Sequence, residues 1–177
     1  MNVIPKNSHP LVGLSLWLIP DENTTGLLKS AIRSLALRFD SPLFMPHATL
    51  LGQIQGTESS IIETAEGLAE ETHTIQIKGN GLDGKADYYR ALYLRLPLNE
   101  DLDALRLKAC IRFSIQPLPA YNPHLSLIYA DLRRETRQEL VQLNQTLAGI
   151  ELTLERLQVV RTTGPVVNWV TLADFQL

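Results

Sequence analysis

The first patterned stretch of the chain alternates strictly. In VGLSLWLI (12–19), Val12, Leu14, Leu16 and Leu18 share one face, and Gly13, Ser15, Trp17 and Ile19 share the other. A period of two predicts a strand. The first face is wholly apolar and belongs to a core. The second is small and mixed, the composition of a surface that lines a cleft. Pro20 and Asp21 end the strand, and Leu27, Leu28, Ile32, Leu35 and Leu37 predict an amphipathic helix over 22–38.

The period then switches repeatedly. Turn-rich FDSPLFMP leads into a strand, HATLLGQI (47–54), and TESSIIETAEGLAEE (57–71) has the hydroxyl start and early acids of a helix. THTIQIKG (72–79) alternates as a strand, the glycine-rich GNGLDGKAD (79–87) is a loop or hairpin, and YYRALYLRL (88–96) is a strong strand. The second half runs the same way. A helix over 99–113 is followed by a proline-rich loop, a strand HLSLIYA (124–130) and a charged helix over 132–147. Two strands, 151–161 and 166–175, then flank a TTGP turn. Each half contains a histidine strand, a helix and paired strands. This pattern predicts an α+β fold with two pseudo-symmetric lobes of antiparallel sheet, outer helices and a central cleft. The expected organisation is one bilobal domain over 1–177.

Composition narrows the picture only slightly. Apolar residues make up 45% and charged residues 20%, which is ordinary for a globular chain. A net charge of −3 argues against a general polyanion binder but leaves room for a small anion held by local donors. The single cysteine, Cys110, has no internal disulfide partner and falls in the 99–113 helix, where a buried structural thiol is expected. LVGLSLWLI follows Lys6 as a signal-peptide core would. It lacks a small-x-small cleavage site, however, and is too short to span a bilayer. The expected location is cytoplasmic, with no membrane partner, and a monomer is expected.

Chemistry enters through a duplication. PHATL (46–50) and PHLSL (123–127) each place histidine after proline, with a hydroxyl residue two positions on. On a strand, His47 and Thr49 face one way, as do His124 and Ser126. Packed with pseudo-twofold symmetry, the strands bring two imidazoles and two hydroxyls to one cleft, a set that suits a tetrahedral phosphoryl anion. Imidazoles near pKa 6.5 can activate a water and protonate a leaving oxygen. His9 and His73 lack the pattern. Two histidines without a third ligand in a recognisable motif leave a zinc site incomplete, so neither a metal nor another cofactor is expected.

These residues resemble the 2H phosphoesterase superfamily, which is named for two H-x-[ST]-apolar motifs. The likeness is to its plant and yeast cyclic phosphodiesterases. SLWLIPDE (15–22), LFMPHATL (43–50) and YNPHLSLIYADL (121–132) carry it beyond the motifs. The resemblance implies metal-independent hydrolysis of nucleoside 2',3'-cyclic phosphates. It also implies opening of ADP-ribose 1'',2''-cyclic phosphate to ADP-ribose 1''-phosphate. His47 and His124 become the acid/base pair, with His124 activating water and His47 protonating the departing sugar oxygen, although the residues themselves do not order the two. Thr49 and Ser126 become phosphate ligands.

Trp17, Tyr129 and Tyr89 match aromatic positions of the family's cleft. Strict alternation sets Tyr129 opposite His124 and Ser126, so a bulge or strand end is needed to turn it inward. On 88–96, Tyr89 shares a face with Ala91, Tyr93 and Arg95, while Arg90 lies with Leu92 and Leu94. Lys85, in the glycine-rich loop, can close over an anion. Two alternatives stand beside a small-molecule cyclic nucleotide substrate. One is processing of RNA 2',3'-cyclic phosphate ends of the bacterial RNA ligase-like type, which calls for Arg90, Arg95, Arg106 and Arg112 to form one basic track. The other is a non-catalytic nucleotide-binding module.

Overall fold

A computed structural model describes residues 13–116 and 120–177. Three of its four helices begin on a side chain that accepts a first-turn N–H. Asp21 accepts from Thr24 before α1 (Glu22–Phe39), Thr57 from Ser60 before α2 (Glu58–Glu70), and Asn99 from Leu102 before α3 (Glu100–Arg112). Each cap satisfies a donor that the helix leaves unpaired, at about 1 kcal/mol. The fourth helix, α4 (Arg134–Leu143), has no such cap.

The strands are β1 (Leu14–Pro20), β2 (Ala48–Ile54), β3 (Ile75–Lys78), β4 (Leu82–Asp83), β5 (Leu92–Arg95), β6 (His124–Ile128), β7 (Glu151–Arg161) and β8 (Val170–Gln176). They form one antiparallel sheet in the order β3-β7-β1-β2-β6-β5-β4, with β8 also on β7. The two histidine strands are therefore neighbours at its centre, meeting at Ala48 and Leu125.

The lobes on either side of that centre exchange strands between the sequence halves. β7 and β8 lie with β1, on the His47 side, whereas β4 and β5 extend from β6. The length of β7 makes this possible. One edge of its 11 residues takes β1, and the other takes β3 at Glu151–Leu154 and then β8 from Arg156 onward.

Leu16, Leu18, Leu50, Leu51, Leu92, Leu94 and Leu125 are fully enclosed in the core. Helix α1 covers it with Leu28, Ile32 and Leu35, while Leu27 and Leu37 are exposed. Cys110 is buried and unbridged on α3, as expected. Val12, assigned to the core face of the first strand, lies outside the described residues, as do Lys6 and His9. Among the described residues no helix is long and apolar enough to cross a membrane.

Several boundaries differ from the alternation pattern. The preceding helix ends at Glu70, Thr72 donates to Leu68 O just beyond it, residues 72–74 are irregular, and β3 begins only at Ile75. The 132–147 helix stops at Leu143 and continues as a 3-10 turn over Gln145–Leu147. The 88–96 strand is cut at its start by a 3-10 turn, Tyr88–Arg90. Asp87 builds that turn, accepting from Tyr89 N at 3.0 Å and holding the Arg90 guanidinium at 2.7 and 3.1 Å. Local side-chain bonding of this kind competes with the sheet ladder. Tyr89 and Arg90 consequently leave the strand faces assigned to them.

Candidate active site

Proline sets both imidazoles. A residue before proline is held extended, and in each motif its carbonyl accepts a hydrogen bond from the ring two positions on. His47 Nδ1 donates to Met45 O at 2.6 Å, and His124 Nδ1 donates to Asn122 O at 2.8 Å. A carbonyl only accepts, so Nδ1 carries the hydrogen and Nε2 is the nitrogen left for chemistry. The two motifs repeat this bond from opposite sides of the sheet centre.

The rings line one cleft of about 150 Å³, and Thr49, Ser126, Trp17, Tyr89 and Tyr129 line it with them. The structure thus brings to one cleft the two histidines, the two hydroxyl residues and the three aromatics expected there from the sequence. Among the described residues no hydrogen bond engages the Thr49 hydroxyl, whereas Ser126 Oγ donates to Tyr89 O at 2.7 Å. Ser126 must turn that hydrogen away before it can donate to a phosphoryl oxygen.

Trp17 is buried and lies flat against His47, with ring centroids 3.5 Å apart and planes 7° from parallel. One of its faces is therefore occupied by the imidazole. Tyr129 faces the cleft because β6 carries a bulge. Tyr93 pairs with Ser126 but Leu92 pairs with Ile128, so the extra residue reverses the alternation and returns Tyr129 to the Ser126 side. Its ring stacks on Phe44 at 3.8 Å.

Sequence reasoning missed Trp169, Thr162, Gln53 and Phe44. Trp169 faces Tyr89 across 6.0 Å and meets Trp17 edge-on at 5.7 Å. A 3-10 turn, Val166–Asn168, delivers it and breaks the alternation that would have revealed its face. Thr162, the first residue after β7, shares a hydrogen bond with Ser15 at 3.1 Å inside the cleft wall. Gln53 sits at φ +56 in β2, where the register against β1 slips. Phe44 had a signal, lying in the LFMPHATL run, but no periodicity points it at the site.

Both imidazoles are held below their ordinary pKa of 6.5. Burial drives His47 down to about 4, with the nearby His124 adding to the effect and the Met45 carbonyl opposing it. Burial lowers His124 as well. There the Asn122 carbonyl and Asp87 work against the shift, while Arg90 and Lys85 reinforce it. Both rings are therefore neutral in the free protein near pH 7.

This depression makes stability depend on pH. The unfolded chain protonates His47 near 6.5 and the folded protein only near 4, so between these values the unfolded state binds more protons. Stability falls as pH drops through that window, and by pH 4.5 His47 accounts for about 2–3 kcal/mol of the loss. Urea unfolding at pH 7 and 4.5 measures it. His47→Gln should show a loss smaller by that amount, and equal losses in the two proteins would contradict the assignment.

Among the described residues, no group of three or more His, Cys, Asp or Glu is placed to hold a metal ion. The four arginines do not join in one track. Arg106 donates to Leu50 O at 2.7 Å and lies over the Tyr121 ring, and Arg112 pairs with Glu71. Only Arg90 and Arg95 border His124, in a second groove.

Two imidazoles, each fixed by the carbonyl before its proline, thus lie over one anion-sized space on adjacent central strands, in a protein of the 2H phosphoesterase superfamily. The chain belongs to the cyclic phosphodiesterase-like protein family, whose model matches residues 12–177. It is an enzyme of the cyclic phosphodiesterase type. It is 26% identical over 156 residues to a cyclic phosphodiesterase of Arabidopsis thaliana, the match covering 84% of each chain. Among solved structures it is similar to the TT0787 protein of Thermus thermophilus, with a TM-score of 0.63 and 18% identity over 93% of this chain and 97% of that one. It is also similar to E. coli LigT complexed with 3'-AMP, with a TM-score of 0.62 and 9% identity over 96% and 99%. At these identities the two structures speak for the fold.

Proposed function

We propose that the protein hydrolyses nucleoside 2',3'-cyclic phosphates, ADP-ribose 1'',2''-cyclic phosphate, or both, without a metal ion, with His47 and His124 as its acid/base pair. The observation that carries this reading is the repeated Nδ1–carbonyl bond, which leaves both Nε2 atoms free beside a single cleft. The Arabidopsis relative's name, a cyclic phosphodiesterase, supports the substrate class.

In the reaction, water attacks phosphorus as one neutral Nε2 takes its proton. The phosphorus–oxygen bond to one ribose oxygen breaks, and the other imidazole, protonated, gives that oxygen its proton. The product is a phosphomonoester beside a free hydroxyl. Both rings start neutral, so the acid gains its proton as the anionic phosphodiester enters and favours the imidazolium. Thr49 donates to a non-bridging oxygen at once, and Ser126 does so after releasing the Tyr89 carbonyl. Trp17 holds the His47 ring in plane, while Tyr89, Trp169 and Tyr129 offer the base and sugar an aromatic surface.

The test is hydrolysis of both compounds by EDTA-treated protein, with the product phosphate's position read by 31P NMR. Absence of turnover, or turnover that returns only on adding a metal, would overturn the reading. Thr49→Val, which keeps shape and removes the donor, should lower kcat/KM by about 10–100-fold, the cost of one hydrogen bond to a charged group. An unchanged value would remove Thr49 from the phosphate site.

A further inference from the structure

A second groove of about 340 Å³ opens on the outer side of His124, so that one imidazole forms a wall of both spaces. Its chemistry differs from that of the aromatic cleft. Lys85, Arg90 and Arg95 line it, together with Tyr121. Arg90 is engaged by Asp87, and the other carboxylate there, Asp83, accepts from Tyr93 Oη at 3.1 Å and Gly84 N at 2.8 Å. Lys85 and Arg95 are exposed cations with no carboxylate partner among the described residues. The Tyr121 hydroxyl is buried with no hydrogen-bond partner among them.

The backbone is shaped to hold these groups. Gly81, at φ +89, lies against Arg95, and a Cβ there would stand 2.7 Å from Arg95 Nη2. The positive φ favours glycine, and any side chain there would push the Arg95 guanidinium from its place. Lys85 is tied in by its own N–H, which donates to Arg90 O at 2.9 Å. Lys85 from the glycine-rich loop and Arg95 from β5 thus stand beside the His124 imidazole with no carboxylate partner among the described residues. Arg90 and Lys85 oppose protonation of His124, and an anion bound between them relieves that.

We propose that this groove binds a second phosphoryl group of the substrate, the diphosphate of a dinucleotide-like cyclic phosphate such as ADP-ribose 1'',2''-cyclic phosphate. The inference rests on the hydrolase reading above and selects between its substrates. A bounded pocket with three cations suits a compact, multiply charged group. A polynucleotide would need a continuous basic surface, whereas Arg112 is paired with Glu71, and Arg106, behind the Tyr121 ring, donates to Leu50 O and does not line the groove.

The experiment compares kcat/KM for ADP-ribose 1'',2''-cyclic phosphate with that for adenosine 2',3'-cyclic phosphate, which lacks the diphosphate. In Lys85→Ala/Arg95→Ala the ratio should fall by about 100-fold, roughly tenfold per charge-assisted contact and expressed in KM. A ratio within about twofold of the parent's overturns the proposal. Calorimetric titration with inorganic pyrophosphate reads the groove without turnover. If the parent hydrolyses neither compound but its pyrophosphate affinity is lost in the double variant, the hydrolase reading falls and the anion site stands. Equal pyrophosphate affinity in both proteins removes the site. A short RNA ending in a 2',3'-cyclic phosphate is the third substrate. If the double variant loses more on RNA than on the ADP-ribose compound, the groove is a polynucleotide track and the diphosphate assignment is wrong.

Discussion

Alanine at position 124 should lower kcat on a 2',3'-cyclic nucleotide by about 10²–10⁴-fold, the usual contribution of a positioned acid or base, and leave the fold intact. His124 is only partly buried. Its ring donates to Asn122 O and meets the edge of Tyr93 at 5.1 Å, so little packing goes with it. A parent-like unfolding midpoint with kcat reduced less than tenfold would remove His124 from the proton transfers. His47 needs gentler treatment, because it is buried under Trp17 and a truncation there leaves a gap as well as a missing base. His47→Gln is the fitting variant. An aryl phosphodiester, whose leaving group needs no proton, then separates the roles. The variant that has lost the acid is largely rescued on that substrate, and the one that has lost the base is not. The family resemblance implies rescue for His47→Gln.

The largest effect on stability is expected from Leu125→Ala, at about 2–5 kcal/mol. Leu125 is fully enclosed and stands opposite Ala48 on β2 and Leu94 on β5, at the one registered pair between the histidine strands. Helix α1 packs on the same strand. No neighbour can easily collapse into the space, since sheet pairing fixes both sides and interiors are close-packed. That cost is a large share of an ordinary domain's 5–15 kcal/mol. Urea denaturation measures it, and a loss under about 1 kcal/mol would mean that the sheet centre is looser than described. His124 and Ser126 flank this leucine, so activity should also fall earlier on heating.

Much of the site was legible because it obeys strand parity. His47, Thr49, His124 and Ser126 each follow from a period of two, and the helix start at Thr57 follows from its hydroxyl and the acids after it. What periodicity alone does not reach, even where the family resemblance named the residue, lies where a local event resets the period. Tyr129 is turned inward by one extra residue in β6, which periodicity alone does not locate. Tyr89 and Trp169 sit on or just after 3-10 turns, and the first of these is created by the Asp87 carboxylate. The lobes were expected, but the exchange of strands between halves was not. Alternation reports which face a residue takes and is silent about which strand lies alongside.

That exchange has a consequence for how the protein is made. β3 has its partner on β7, and their contacting ends, Lys78 and Glu151, are separated by 73 residues of chain. A ribosome adding about 5–20 residues per second exposes β3 for roughly 4–15 seconds before that partner exists. Trp169 follows later still. The His47 wall is therefore sealed only late in synthesis, and the nascent chain passes through a stage with a free strand edge, the state that chaperones recognise and that aggregation exploits.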